Sequence, residues 1–114
     1  MIAVIFELMP TEGREQDYFD RAAGLKATLE TMDGFISVER YQSLADKGKF
    51  LSLSFWRDEA AVANWRQLMV HRQAQAAGRA GIFSDYRLRV AHVMRDYGLS
   101  ERDEAPADAR AYHR

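Results

Sequence analysis

Phe50-Leu51-Ser52-Leu53-Ser54-Phe55-Trp56-Arg57-Asp58-Glu59-Ala60-Ala61-Val62 changes its period midway, and that change decides the fold. Up to Trp56 the side chains alternate. Leu51, Leu53 and Phe55 share one side, and Phe50, Ser52, Ser54 and Trp56 the other, as on a β-strand. Beyond Arg57 the apolar residues fall at Ala61, Val62, Trp65, Leu68 and Met69, the spacing of one face of a helix. Asp58 stands at the junction, where a carboxylate can accept from backbone N–H groups that the first helical turn leaves unpaired. A strand over 50–56 therefore feeds a helix running to about Ala77, with Gly78 and Gly81 as stop signals.

The same reading extends in both directions. Upstream, the polar turn Asp46-Lys47-Gly48-Lys49 joins this strand to another over Phe35–Tyr41, which also alternates. Asp33-Gly34 closes a helix over about Arg14–Met32, whose stripe is Tyr18, Ala22, Leu25 and Leu29 with Phe19 beside it. Ile2–Met9 is a strand apolar on both sides, leaving through Pro10-Thr11-Glu12-Gly13. Downstream, Tyr86–Met94 is the last strand. The order is βαββαβ, an α+β, ferredoxin-like arrangement in which two crossovers give a four-stranded antiparallel sheet with two helices on one face. Residues 1–99 make one domain. Residues 100–114 form a charged, Ala-rich tail with Pro106 inside it, and such a segment lacks the apolar content to pack alone.

Composition narrows the function classes. The 114 residues are 47% apolar and 29% charged with a formal net charge of −1, which suits one globular domain and gives no basic stripe for nucleic acid. The absence of cysteine removes disulfides, thiolate metal sites and a cysteine nucleophile, and fits a cytoplasmic protein. The apolar run at the start breaks at Glu7 and Pro10, too short for a signal core or a membrane span. Three scattered histidines form no metal signature, so no metal is expected. The helices cover one face of the sheet, yet the first and third strands carry large groups on both. The economical cover for the second face is the same face of another copy, so a homodimer is expected.

Several of these stretches together resemble a known family. Gly34-Phe35, Ser54-Phe55-Trp56-Arg57-Asp58-Glu59-Ala60, Asn64-Trp65, His71-Arg72-Gln73-Ala74-Gln75 and Asp85-Tyr86-Arg87-Leu88-Arg89-Val90-Ala91 look like the antibiotic biosynthesis monooxygenase family of the dimeric α+β barrel superfamily. The resemblance spans about Ile2 to Leu99. It implies a protomer that dimerises through its sheet and binds a small molecule between the sheet and its own helices. It also implies a monooxygenase that acts on an electron-rich aromatic or quinol-type substrate with no cofactor. The deprotonated substrate hands an electron to O2, and the protein supplies a pocket, a base and dry surroundings. Other members bind small ligands without known catalysis, or degrade haem.

The candidate site residues follow from position and chemistry. Trp65, on the helix stripe, offers a flat apolar wall and an N–H donor, and related proteins place a Trp here beside the cavity. Leu68 shares that stripe, and Phe6, facing the same way as Ile2, Val4 and Leu8, would form the floor. Asn64 could donate to a substrate carbonyl. His71 is the candidate general base, since an imidazole takes a proton near neutral pH. It is offset from Trp65 by about a third of a helical turn. His92, on the last strand, is expected at the dimer seam. The haem-degrading relatives carry an Asn on the first strand and a His ten residues after the helix Trp. Phe6 and Gln75 stand there in this chain, which argues against haem degradation.

Overall fold

The computed structural model describes the backbone of residues 1–75 and 81–112, and the side chains of residues 1–69 and 81–109. Strand β1 (Ile2–Pro10) is followed by α1 (Glu15–Glu30), β2 (Phe35–Gln42), β3 (Phe50–Trp56), α2 (Glu59–Gln75), β4 (Phe83–His92) and a short α3 (Ala107–Tyr112). The strands form one antiparallel sheet in the order β2-β3-β1-β4. This is the ferredoxin-like βαββαβ fold that the alternation of periods predicts.

The local signals act where the sequence places them. An Oδ1 of Asp58 accepts from the Ala61 N–H at 2.9 Å, capping α2. The β2–β3 turn closes through Ser43 N–H to Lys49 O at 2.9 Å and Lys49 N–H to Asp46 O at 3.0 Å. Gly34 turns the chain between α1 and β2 at φ +84°.

The largest differences from the expected boundaries are at the two ends of β4, for one reason. β4 runs from Phe83 to His92 rather than from Tyr86 to Met94. Its extent is set by its partner β1. Phe83 sits opposite Pro10, past a register shift, and His92 opposite Ile2. Ser84 and Asp85 interrupt the apolar alternation but not the ladder, and the Ser84 hydroxyl also donates to Met9 O at 3.0 Å. The segment after β4 makes its own short-range contacts. The Arg102 guanidinium donates to Gly98 O and Ala109 O and lies 5.1 Å from the centre of the Tyr97 ring.

Register assigns each strand residue to a face, because residues directly opposite in an antiparallel pair point the same way. Four rows cross the helix-facing side. They are Phe35–Trp56–Ile2–His92, Val38–Ser54–Val4–Val90, Arg40–Ser52–Phe6–Leu88 and Gln42–Phe50–Leu8–Tyr86. The outer side carries Ile5, Leu53 and Arg89 in one row, with Ala3, Phe55 and Ala91 in the next. His92 is thus on the helix-facing side, not on the outer face where the seam was expected, and its Nε2 lies 3.6 Å from Glu59 of α2.

The core lies between helices and sheet in two clusters. One joins Ile2 and Trp56 to Leu29, Ala61 and Val62, with Val4, Met32, Phe35, Val38 and Trp65 against it. The other joins Leu8 to Tyr18, Ala22 and Ile82, with Phe6, Phe50 and Phe83 around them. Trp56, fully buried, donates its indole N–H to the Ser54 hydroxyl at 2.9 Å, so a polar atom in the core is satisfied by its strand neighbour two residues back.

Candidate functional site

A strand in the middle of a sheet, on the face that helices cover, should be buried along its whole length. Along β1 the ends are sealed and the middle is not. On β1, Ile2 and Leu8 are 1% exposed, whereas Val4 and Phe6 between them are only half-buried. On β3, Trp56 and Ser54 are buried, and Phe50 and Ser52 are half-buried. The two core clusters fill the ends of the layer, and the two central rows between them have small or polar floor residues, Ser52, Ser54 and Val4. At the β4 edge the same rows end in Leu88 and Val90, about half exposed at 52% and 51%. A groove of about 490 Å³ opens there, between α2 and β4, lined by Glu59, Ala60, Val62, Ala63, Arg66 and Val90. Val62 belongs to both this groove and the first core cluster, and Val90 belongs to both the groove and a central row. The geometry is that of a layer with an under-filled middle and an opening on one side.

Of the predicted residues, Phe6 lies on a central row, its ring 5.8 Å from that of Phe83 and 5.7 Å from that of Tyr86. Trp65 is half-buried on the inward side of α2 and stacks 6.1 Å from Trp56 at an interplanar angle of 31°. Phe6 and Trp65 pack against different core clusters, so they flank the under-filled middle from opposite ends. Leu68 is half-buried, three residues beyond Trp65. Asn64 is exposed, and neither it nor Trp65, Leu68 or Phe6 lines the α2–β4 groove. His71 falls within the α2 backbone, but its side chain lies outside the described residues, as does that of Gln75. Among the described residues no group of three or more His, Asp or Glu could hold a metal ion, and no helix is long and apolar enough to cross a membrane.

Two polar groups of the layer escape the sequence pattern. Tyr18 of α1 is 6% exposed, and Arg40 of β2 lies on the central row with Ser52 and Phe6. Burial pushes the Tyr18 phenol up from its ordinary pKa, and the neighbouring Arg40 charge opposes that. At sequence level Tyr18 reads as a stripe residue, and Arg40 as a strand residue alternating with Glu39 and Tyr41. The signal that could have singled Arg40 out is a cation on the strand face shared with Val38.

Comparison with known proteins places this geometry. The model of a family described as "Antibiotic biosynthesis monooxygenase" matches residues 1–77. A curated relative, jasmonate monooxygenase ABM of Pyricularia oryzae, is 46% identical over 93 residues; the match covers 82% of this chain and 43% of the relative. This chain therefore spans less than half the length of that protein. Among solved structures, Rv0793 from Mycobacterium tuberculosis superposes with a TM-score of 0.71 at 17% identity, over 85% of this chain and 98% of that one. The haem-degrader MhuD from the same organism, with two haems bound in its active site, gives a TM-score of 0.61 at 16% identity, over 86% of this chain and all of its own. At such identities the two structures establish a shared fold.

Proposed function

Because this chain belongs to the antibiotic biosynthesis monooxygenase family, we propose that it is a monooxygenase that oxidises a small, largely apolar molecule held between the sheet and α2, with neither metal nor flavin. The observation that carries this reading is the half-buried pair Val4 and Phe6 between the sealed Ile2 and Leu8, with a groove at the β4 edge that shares Val90 with the row of Val4. The activity of the Pyricularia relative supports the oxygenase half of the reading.

The substrate class is an electron-rich ring or an activated C–H flanked by carbonyl or aromatic groups. Loss of a proton from such a carbon or its phenol gives an anion able to pass one electron to O2. Superoxide and the substrate radical then combine into a peroxide. Loss of water leaves one oxygen on the substrate as a carbonyl, and the second oxygen leaves as that water with the two hydrogens of the oxidised carbon. The protein's tasks are to take the first proton, hold the anion and exclude bulk water. Phe6 and Trp65 give flat apolar walls, Leu68 closes the helix side, and Asn64 stands by the same stretch of α2 as a donor. His71, three residues after the half-buried Leu68 on α2, is the proposed base. We place the active unit as a homodimer in the cytoplasm, consistent with the apolar outer sheet face and the absence of cysteine.

The test is oxygen uptake with a panel of quinols, phenols and jasmonate, beside a haem titration. Uptake with stoichiometric product supports the reading. His71→Ala should then slow the chemical step by roughly 10²- to 10⁴-fold, the usual contribution of a positioned base. Wild-type rates in that variant remove His71 from the mechanism. Trp65 stacked against Trp56 favours a second reading, a binding module that turns nothing over. Saturable binding across the panel with no oxygen consumed would decide for it. A Soret band on adding haem would redirect the assignment to haem chemistry, which Phe6 on the first strand argues against.

A further inference from the structure

The helix-facing layer has a polar corner that the proposed oxidation does not use. Arg40 begins the central row Arg40–Ser52–Phe6–Leu88, and α1 brings Tyr18 over it. The Tyr18 ring is fixed by Phe50 and Phe83, with centres 6.1 Å and 5.9 Å away. Its hydroxyl is buried and has no hydrogen-bond partner among the described residues, and the same is true of Arg40 Nε. The guanidinium lies near enough for its charge to act on the phenol.

Buried polar atoms are normally paired, and leaving one unpaired is costly. A guanidinium has only donors, and a phenol donates as well as accepts, so each of the two has a donor to place. Two neighbouring donors can be satisfied by one acceptor, and the fixed positive charge selects a negative one. Glu39, the acid next in sequence to Arg40, points to the opposite face, where it accepts from the Tyr41 hydroxyl at 2.9 Å. We propose that Arg40 and Tyr18 form a carboxylate-binding subsite, so that the molecule taken into this layer is an apolar body with a carboxylate at one end. The row sets its dimensions. From Arg40 to Leu88 there are three inter-strand steps, about 14 Å in all. The carboxylate lies at the β2 side, the apolar body crosses Ser52 and Phe6, and the far end reaches the exposed Leu88. The opening at the β4 edge admits the apolar end last. This inference rests on the reading of the layer as a ligand site, and it adds the ligand's charge and direction.

The test is equilibrium binding, read through the fluorescence of Trp56 and Trp65, with two matched pairs of probes: 4-phenylbutyrate against 4-phenylbutyramide, and decanoate against decanamide. At neutral pH the acid of at least one pair should bind about 10- to 100-fold more tightly than its amide, the range for hydrogen bonds to a charged group. Arg40→Met should bring the acid down to the affinity of the amide and leave the amide unchanged. Arg40→Lys should restore part of the preference, which separates charge from packing. Tyr18→Phe should lose part of it with no fall in melting temperature. A wild-type chain that binds acid and amide equally, or binds none of the four, overturns the proposal. So does a preference that survives Arg40→Met. The titration needs neither oxygen nor turnover. A chain that prefers acids yet consumes no oxygen keeps the subsite and loses the oxygenase assignment, and a chain that oxidises neutral substrates without preferring acids does the reverse.

Discussion

Gly34 shows how a single residue ties the turn after α1 to the start of α2. Its φ of +84° is in the left-handed region, and a Cβ placed there would lie 2.6 Å from the Ala61 Cβ. Ala61 is 2% exposed within the core, so it has no free direction in which to yield. The Gly34 carbonyl also accepts from the Arg57 N–H at 2.7 Å, holding the approach close. Gly34→Ala meets two separate penalties, left-handed backbone and overpacking. Together they should cost about 2–4 kcal/mol in urea unfolding. Adding Ala61→Gly should recover the steric part and leave the backbone part. An unchanged midpoint in Gly34→Ala would show that the close approach does not hold in solution. The serines of β3 illustrate the limit of reading single residues. In sequence, Ser52 and Ser54 are simply polar gaps in an apolar strand. In the fold, Ser54 pairs with the Trp56 indole, and Ser52 lowers the floor of the layer between Arg40 and Phe6.

At the scale of elements, the junction of β3 and α2 is held by charge. Arg57 bonds both oxygens of Asp33 at 3.1 Å and 3.0 Å, and its Nε bonds Asp58 at 3.0 Å while Asp58 caps α2. Hydrogen bonding and the charge of Arg57 hold the Asp33 carboxyl below its ordinary range, and the Ala61 N–H with Arg57 does the same for Asp58. A depressed folded-state pKa contributes stability that is complete above the unfolded value, near 3.8, and is lost as pH falls through the lower folded value. All of this loss therefore lies on the acid side, below about pH 4. Asp58→Asn keeps a good cap and removes the charge, whereas Asp58→Ala removes both. In melts at pH 7 we expect the Ala variant to lose a few degrees, about what a missing cap costs in a domain of this size, and the Asn variant to lose less. In acid titrations followed by circular dichroism, Asp33→Asn should flatten the stability curve between pH 4 and 2. A curve parallel to wild type would show that this clasp is not what acid breaks. The order of elements was legible because each boundary carries its own chemistry: Asp58 before α2, Asp33-Gly34 after α1, the polar turn at 46–49. The extent of β4 was not, because the length of β1 sets it. Alternation sorted the side chains of each strand into two faces, but it could not match the faces of β4 to those of β1, so His92 was misplaced. The pairing of Tyr18 with Arg40 was beyond reach for a related reason. It depends on where α1 lies across the sheet, and no local period records that.

For the whole molecule the open question is the outer face of the sheet. Ile5, Leu51, Leu53 and Phe55 lie on it only half-buried, and Tyr41 is 44% exposed. Of the charges on this face, which include Glu39, Arg87 and Arg89, Glu7 is flanked by Arg89 at 3.1 Å and Lys49 at 3.5 Å. Burial works to raise the Glu7 pKa, and the two cations outweigh it and lower the value. A carboxylate already neutralised by two partners is one that can face another surface without being left alone there. Among the described residues no helix or loop covers this face, and a second copy presenting the same face would bury all of these side chains through one symmetric contact. Light scattering should therefore give about twice the chain mass of 13.1 kDa. Leu53, at the centre of this face and opposite Ile5, is the position to charge. Leu53→Lys would bury an unpaired ammonium at the seam, at a cost of several kcal/mol. The variant should sediment as a monomer at micromolar concentration and melt lower than wild type, while Ser52→Lys, one residue away on the helix-facing side, should disturb the ligand layer and leave the dimer intact. A wild-type monomer, or a Leu53→Lys chain that still runs as a dimer, would place the contact elsewhere. In that case the edges β2 and β4, each with one unpaired side in the sheet order, would be the surfaces to charge next.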